Sequence, residues 1–223
     1  MDTKLFLQAI IKFTLGLLIV GTLVFIPAGT IYYLNGWIFV GVLFIPMFVV
    51  GIILMIKSPE LLRKRLNSKE KENEQKAVII LSSFMFFCGF IIAGLNYRYE
   101  WIMIPEIVVI IAAIIFLLGY ILYAEVLREN KYLSRTIEVQ EKQKVIDTGV
   151  YKIVRHPMYV STILMFLSIP LILGSIISFI IFLVYPFIIA KRIKNEEKVL
   201  EKDLEGYLEY KDKVKYKIIP FIW

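Results

Sequence analysis

Two short polar stretches hold most of the side chains able to do chemistry. The first is Gly149-Val150-Tyr151-Lys152-Ile153-Val154-Arg155-His156-Pro157-Met158-Tyr159, and the second is Arg192-Ile193-Lys194-Asn195-Glu196-Glu197. Pro157 suits the first turn of a helix, where its missing N–H costs nothing. A helix starting there offers N–H groups and a positive dipole end to an anion such as a carboxylate. His156, just before it, can donate or accept a hydrogen bond. Equally, Arg155 and His156 suit the plain task of capping that helix and anchoring it at headgroup level. Arg192 and Glu196 stand four residues apart and share a helix face. They form either part of a site or an exposed salt bridge worth only ~0.3–0.5 kcal/mol. Glu125, near the end of an apolar run, either snorkels to the interface beside Arg128 or, if buried, is a functional acid. His156 is the sole histidine and Cys88 the sole cysteine. No internal disulfide, zinc spacing or multi-histidine metal site is therefore available, and no metal is expected.

The elements that position these residues are set by hydropathy. Of 223 residues, 59% are hydrophobic and 20% charged, more apolar surface than a soluble domain of this size can bury. The formal charge of +7 does not point to nucleic acid, because the lysines and arginines cluster beside apolar spans, as membrane orientation requires. A membrane-crossing helix needs about 20 apolar residues. The uncharged stretch Phe13 to Ile56 is too long for a signal peptide and is read as a retained anchor. It predicts two helices, Leu5–Ile31 and Trp37–Ile56, joined at Tyr32-Tyr33-Leu34-Asn35-Gly36, with Pro27 and Pro46 inside them. A charged loop over 57–76 follows, partly helical. Ala77–Tyr97 and Ile107–Ala124 are the third and fourth spans, the latter able to run on to Asn130.

Residues 128–157 are polar, with a strand-like or irregular piece at Thr136–Gln140 and a turn at Asp147-Thr148-Gly149. Residues 157–190 are uncharged again, divided by Gly174-Ser175 into halves of about 16 residues, roughly 24 Å each. The hydrocarbon core is ~30 Å thick, so a thin, tilted or shielded helical hairpin is predicted. From Lys191 a charged, amphipathic helix is expected, with Leu200, Leu204, Tyr207 and Leu208 on its apolar face; the terminal Ile218–Trp223 stretch reads as an interfacial plug. The expected fold class is all-α and membrane-integral, with four transmembrane helices plus a C-terminal hairpin, five to six membrane helices in all. Residues 1–127 form the membrane part and 128–223 the cofactor-binding part. Segments 57–76, 128–157 and the tail from Lys191 carry seven, seven and nine basic residues, and 25 of the 26 lie on one side when both termini are cytoplasmic. The positive-inside rule therefore predicts a multi-pass protein whose termini and polar clusters face the cytoplasm.

The stretch Gly149-Val150-Tyr151 with Arg155-His156-Pro157-Met158-Tyr159, then Glu196-Glu197-Lys198-Val199-Leu200, then Tyr207-Leu208-Glu209-Tyr210, resembles the isoprenylcysteine carboxyl methyltransferase family and the wider group that includes phospholipid N-methyltransferases. The resemblance covers about residues 125–223. It implies S-adenosyl-L-methionine bound between the paired motifs on the cytoplasmic side. Carried over by position, Gln140, Lys144, Val145, Ile146, Tyr151, His156, Pro157, Met158, Tyr159 and Glu196 would bind the cofactor, and Arg192 would face a substrate carboxylate. The chain departs from relatives at Gln143, where several place histidine, and at Ser161, where many have glycine.

The implied chemistry suits these residue types. Methyl transfer from a sulfonium is an in-line displacement dominated by positioning and desolvation. Tyrosine faces stabilise the cation by ~0.5–2 kcal/mol each, and a carboxylate nucleophile needs no general base. The expected substrate is a lipid-like or lipidated small acid entering from the bilayer, with membrane lipids the other partners. N-methylation of a phospholipid amine is the close alternative. An NADPH-dependent membrane reductase, whose relatives carry a similar Arg-His-Pro segment, and a non-enzymatic membrane scaffold are the alternatives of other classes.

Overall fold

The computed structural model describes residues 2–67, 73–134 and 136–223, with the side chains of 73 and 74 also set aside. The regular elements are α1 (Thr3–Ala28), α2 (Leu34–Lys57), α3 (Pro59–Leu66), α4 (Asn73–Tyr99), α5 (Glu106–Glu129), a 3₁₀ turn (Gly149–Lys152), α6 (Pro157–Ile172), α7 (Ile176–Phe182), α8 (Tyr185–Asp203) and α9 (Tyr207–Lys213). Five stretches are long and apolar enough to cross a membrane: Thr3–Ala28, Leu34–Lys57, Gln75–Tyr99, Glu106–Glu129 and Ile176–Asp203. The fold is an all-helical membrane bundle, as the hydropathy predicts. Part of the charged 57–76 segment, residues 68–72, lies outside the described residues; the part before it is the helix α3.

Local chemistry sets the helix ends. The Asp2 carboxylate accepts from the backbone N–H of Lys4 and Leu5 and starts α1. Gly29, at φ +69, ends it with its N–H turned back to Phe25 and Ile26. Helices cross where side chains are small, as close packing in lipid requires. A Cβ on Gly94 would stand 2.8 Å from the Val24 carbonyl oxygen, fixing α4 against α1. Gly119 brings α5 onto α6 beside Met165 and the Ser161 carbonyl. The core runs through Val24, Phe39, Phe90, Phe116, Ile172, Phe182 and Ile193, all buried. Ile19, Ile45, Phe84, Leu118 and Ile180 point outward and form the surface expected to meet lipid tails.

The hairpin differs from its predicted form in its second limb. That limb breaks at Leu183-Val184, ahead of Pro186. It then runs unbroken from Tyr185 to Asp203 through the expected boundary at 190, because nothing between Ala190 and Lys191 disfavours helix. The tail is amphipathic but is two helices rather than one. Gly206, at φ +80, turns the chain between α8 and α9, so Leu204 and Tyr207 are buried while Leu208 is 59% exposed. Thr136–Gln140 is irregular, with no strand among the described residues. In the terminal stretch Ile218 is buried and Trp223 packs on the core, whereas Phe221 and Ile222 project outward.

Candidate active site: a chamber between α6 and α8

The 3₁₀ turn forms one wall. Gly149 sits at φ +48, a conformation that favours glycine, and the movable carboxylate end of Glu129 lies against it. The turn presents Tyr151, whose hydroxyl accepts from the Asn130 amide at 2.9 Å and whose carbonyl accepts from the Tyr210 hydroxyl at 2.7 Å. Burial pushes the Tyr151 and Tyr210 phenols up from their ordinary pKa, so both remain neutral.

The C-terminal strap closes the next side. The N–H groups of Arg155 and His156 donate to the carbonyls of Tyr216 and Lys217, each at 2.9 Å. Beneath them lies Glu197, 4% exposed. The Arg155 guanidinium donates to Glu197 Oε1 at 2.8 and 2.9 Å and to the Val214 carbonyl at 2.6 Å. Lys217 Nζ reaches Glu197 Oε2 at 2.8 Å, and His156 Nε2 is 3.2 Å from Oε1. One buried carboxylate thus ties α8 to the start of α6 and to the tail.

Glu196, one residue earlier, faces the chamber. The Tyr159 hydroxyl donates to Glu196 Oε2 at 2.5 Å and accepts from Arg192 Nε at 2.9 Å. The Tyr159 ring is buried and lies 5.8 Å from the His156 ring. This chain of three side chains joins α6 to α8 across the wall of the chamber. The N–H of Tyr159 turns back to the His156 carbonyl and Pro157 has none, so the helix start offers an anion fewer donors than a bare terminus.

These walls surround an open cavity of about 860 Å³, its solvent space included. Lys144, Val145, Ile146, Tyr151, His156, Pro157, Met158, Tyr159, Arg192 and Glu196 all line it. Gln140 does not. Its amide nitrogen donates to the Tyr132 carbonyl at 2.6 Å and its oxygen accepts from Lys64 at 2.5 Å, which places it behind the wall, while Gln143 lines the space instead. Glu125 is bonded to Arg128 at 2.5 and 2.9 Å at the surface, away from the chamber.

Sequence reasoning missed three contributors. Asn130, Tyr132 and Ser134 form a wall. Arg65 of α3 braces it, donating to the Tyr123 hydroxyl at 2.6 Å and the Ser134 carbonyl at 3.2 Å. Tyr207 and Tyr210 of α9 form the floor; their tyrosine pair was visible in the sequence, but its direction was not. The donor set fits the sulfonium cofactor that the resemblance implies: aromatic faces, an uncommitted buried hydroxyl at Tyr207, an acid at Glu196 and an apolar shelf at Val145, Leu200 and Leu204.

The sequence profile of the phospholipid methyltransferase family matches residues 107–205, which hold both chamber motifs. That match supports the methyltransferase resemblance. The fold is also similar to that of the eukaryotic intramembrane Ras methyltransferase, isoprenylcysteine carboxyl methyltransferase. The likeness has a TM-score of 0.55 at 20% identity, over 92% of this chain and 73% of that one. No curated protein sequence matches the chain. The structural likeness shows a shared membrane fold, and the profile match, over less than half of the chain, falls on the part that builds the chamber.

Proposed function

We propose that the chain is an S-adenosyl-L-methionine-dependent carboxyl methyltransferase acting on a prenylcysteine-like or other lipid-like acid that reaches the chamber from the bilayer. The chamber and both termini face the cytoplasm, where the positive-inside rule puts 25 of the 26 basic residues. The observation that carries the reading is the Arg192–Tyr159–Glu196 chain at the junction of the two motifs.

Each residue has a role in this reading. His156, Pro157, Met158, Tyr151 and the Lys144–Ile146 segment enclose the cofactor, and Glu196 binds its ammonium or a ribose hydroxyl. The bound cofactor supplies an electrophilic methyl group on a sulfonium. Arg192 holds the substrate carboxylate, and Tyr159, bonded to Arg192 Nε, fixes the guanidinium plane. An arginine grips a carboxylate through two parallel N–H bonds and so aims one oxygen at the methyl carbon. A C–O bond forms as the C–S bond breaks, the sulfonium becomes a neutral thioether, and no proton moves.

That last point favours the acid over an amine. N-methylation must lose a proton and needs a base near neutral pKa. Glu197 and His156 are bound into the Arg155 and Lys217 cluster, and Glu125 is paired with Arg128. The family profile match nevertheless supports phospholipid amine methylation as the second reading. Arg192→Lys and Arg192→Ala, assayed on a prenylcysteine acid and on phosphatidylethanolamine, separate the two. Both variants should lose most activity on the acid, because lysine keeps the charge but not the fork. Methylation of the amine lipid, as fast in Arg192→Ala as in the unaltered protein, contradicts the carboxylate reading.

A further inference from the structure

Five tyrosines line the chamber. The hydroxyls of Tyr151, Tyr159 and Tyr210 are engaged as described, and that of Tyr132 donates to the Lys142 carbonyl at 3.3 Å. Tyr207 is the exception. Its side chain is 4% exposed and its hydroxyl has no hydrogen-bond partner among the described residues. Buried polar groups are rarely left unmatched, and each exception asks for an explanation. The oxygen itself is buried, so a partner meets it only as the side chains beside it shift on binding. The ring is also fixed: it follows the Gly206 turn, lies 5.9 Å from the Tyr210 ring, and packs in a cluster with Leu204, Val145 and Leu200.

The surroundings say what the missing partner is. Burial first, and then the negative charges of Glu197 and Glu196, push the Tyr207 phenol up, so it stays protonated and offers a donor. Those same charges disfavour a carboxylate next to it. The shelf of Val145, Leu200 and Leu204 beside it is apolar and suits a flat aromatic base. We infer that Tyr207 is a ligand-binding residue of the chamber, its hydroxyl donating to an uncharged acceptor on the adenosine portion of the cofactor. The inference rests on the cofactor reading above and adds to it the end of the cofactor that α9 recognises.

Tyr207→Phe tests this on the full-length detergent-purified protein. Calorimetry measures S-adenosylhomocysteine and methylthioadenosine, which lacks the amino-acid part; melting is followed with no ligand present. Loss of the hydrogen bond should weaken both ligands by the same factor, about 10-fold. The ligand-free melting temperature should hold or rise, because an unmatched buried hydroxyl has been removed. Unchanged affinities for both, with binding intact in the unaltered protein, overturn the Tyr207 assignment alone. Weakening of S-adenosylhomocysteine only overturns the adenosine contact. A fall of several degrees in the ligand-free melting temperature makes the residue a structural one. If the unaltered protein binds neither ligand, the cofactor reading fails and this inference falls with it.

Discussion

The two ends of the α6–α8 hairpin are held by opposite means. At the tip, Leu173-Gly174-Ser175, every recorded tie is neutral. The Tyr33 hydroxyl donates to the Leu173 carbonyl, and the Asn96 amide donates to the carbonyls of Ile102 at 3.0 Å and Gly174 at 3.4 Å. Ser175 caps α7 and pairs with Met103. At the other end the hairpin is held by charge, with Arg155, His156 and Lys217 on Glu197, and Arg192 linked through Tyr159 to Glu196. A low-dielectric surrounding strengthens a satisfied hydrogen bond but makes an uncompensated charge costly. The neutral lock therefore suits a tip expected to lie at the far membrane face. The charged lock works only where the tail covers it. The tip only holds, whereas the charged end has both a holding carboxylate and a chamber-facing one.

The sharpest break of that comparison is Glu197→Ala. It leaves the Arg155 and Lys217 cations and the His156 ring around a buried gap, and removing one partner of a buried pair typically costs ~3–5 kcal/mol. We expect a large fall in the melting temperature in detergent and release of the 214–217 strap, read by protease sensitivity; a change of less than a degree would show that Glu197 is not the pin. Gly174→Ala attacks the tip. Its φ of +75, and an Asn35 amide nitrogen 2.7 Å from where the Cβ would lie, predict a loss of about 1–3 kcal/mol. Cofactor affinity should be unchanged, so tip and chamber are separable; an equal loss of affinity would show that they are coupled. Smallest in stability is Tyr159→Phe. It removes the hydroxyl between Arg192 and Glu196, and the melting point should move little while turnover on the acid substrate drops about 10-fold, or ~1.4 kcal/mol.

Much of this was legible in the sequence, for uneven physical reasons. Spans and their boundaries follow from hydropathy, which acts residue by residue, and all four N-terminal membrane helices fall within a few residues of expectation. The pairing of Arg155–Tyr159 with Arg192–Glu197 followed from the hairpin bringing its ends together. What remained hidden depends on side-chain direction. Glu196 and Glu197 are chemically identical, but one residue is 100° of helix rotation, so Arg192, Glu196 and Leu200 line the chamber while Ile189, Ile193 and Glu197 are buried. Gln140 and Gln143 exchange places for a related reason, in an irregular segment with no period to read. Arg65 was invisible because its partners are about 60 to 90 residues away.

The most direct measurement is calorimetric titration of the detergent-purified full-length protein with S-adenosyl-L-methionine and, separately, with NADPH, repeated for Glu196→Gln. Saturable binding of S-adenosyl-L-methionine is predicted, weakened roughly 10- to 150-fold by Glu196→Gln, since a hydrogen bond to a charged group is worth about 1.5–3 kcal/mol, with no heat from NADPH. Binding of NADPH but not of S-adenosyl-L-methionine, or an affinity for S-adenosyl-L-methionine indifferent to Glu196, would contradict the chamber as a methyl-donor site.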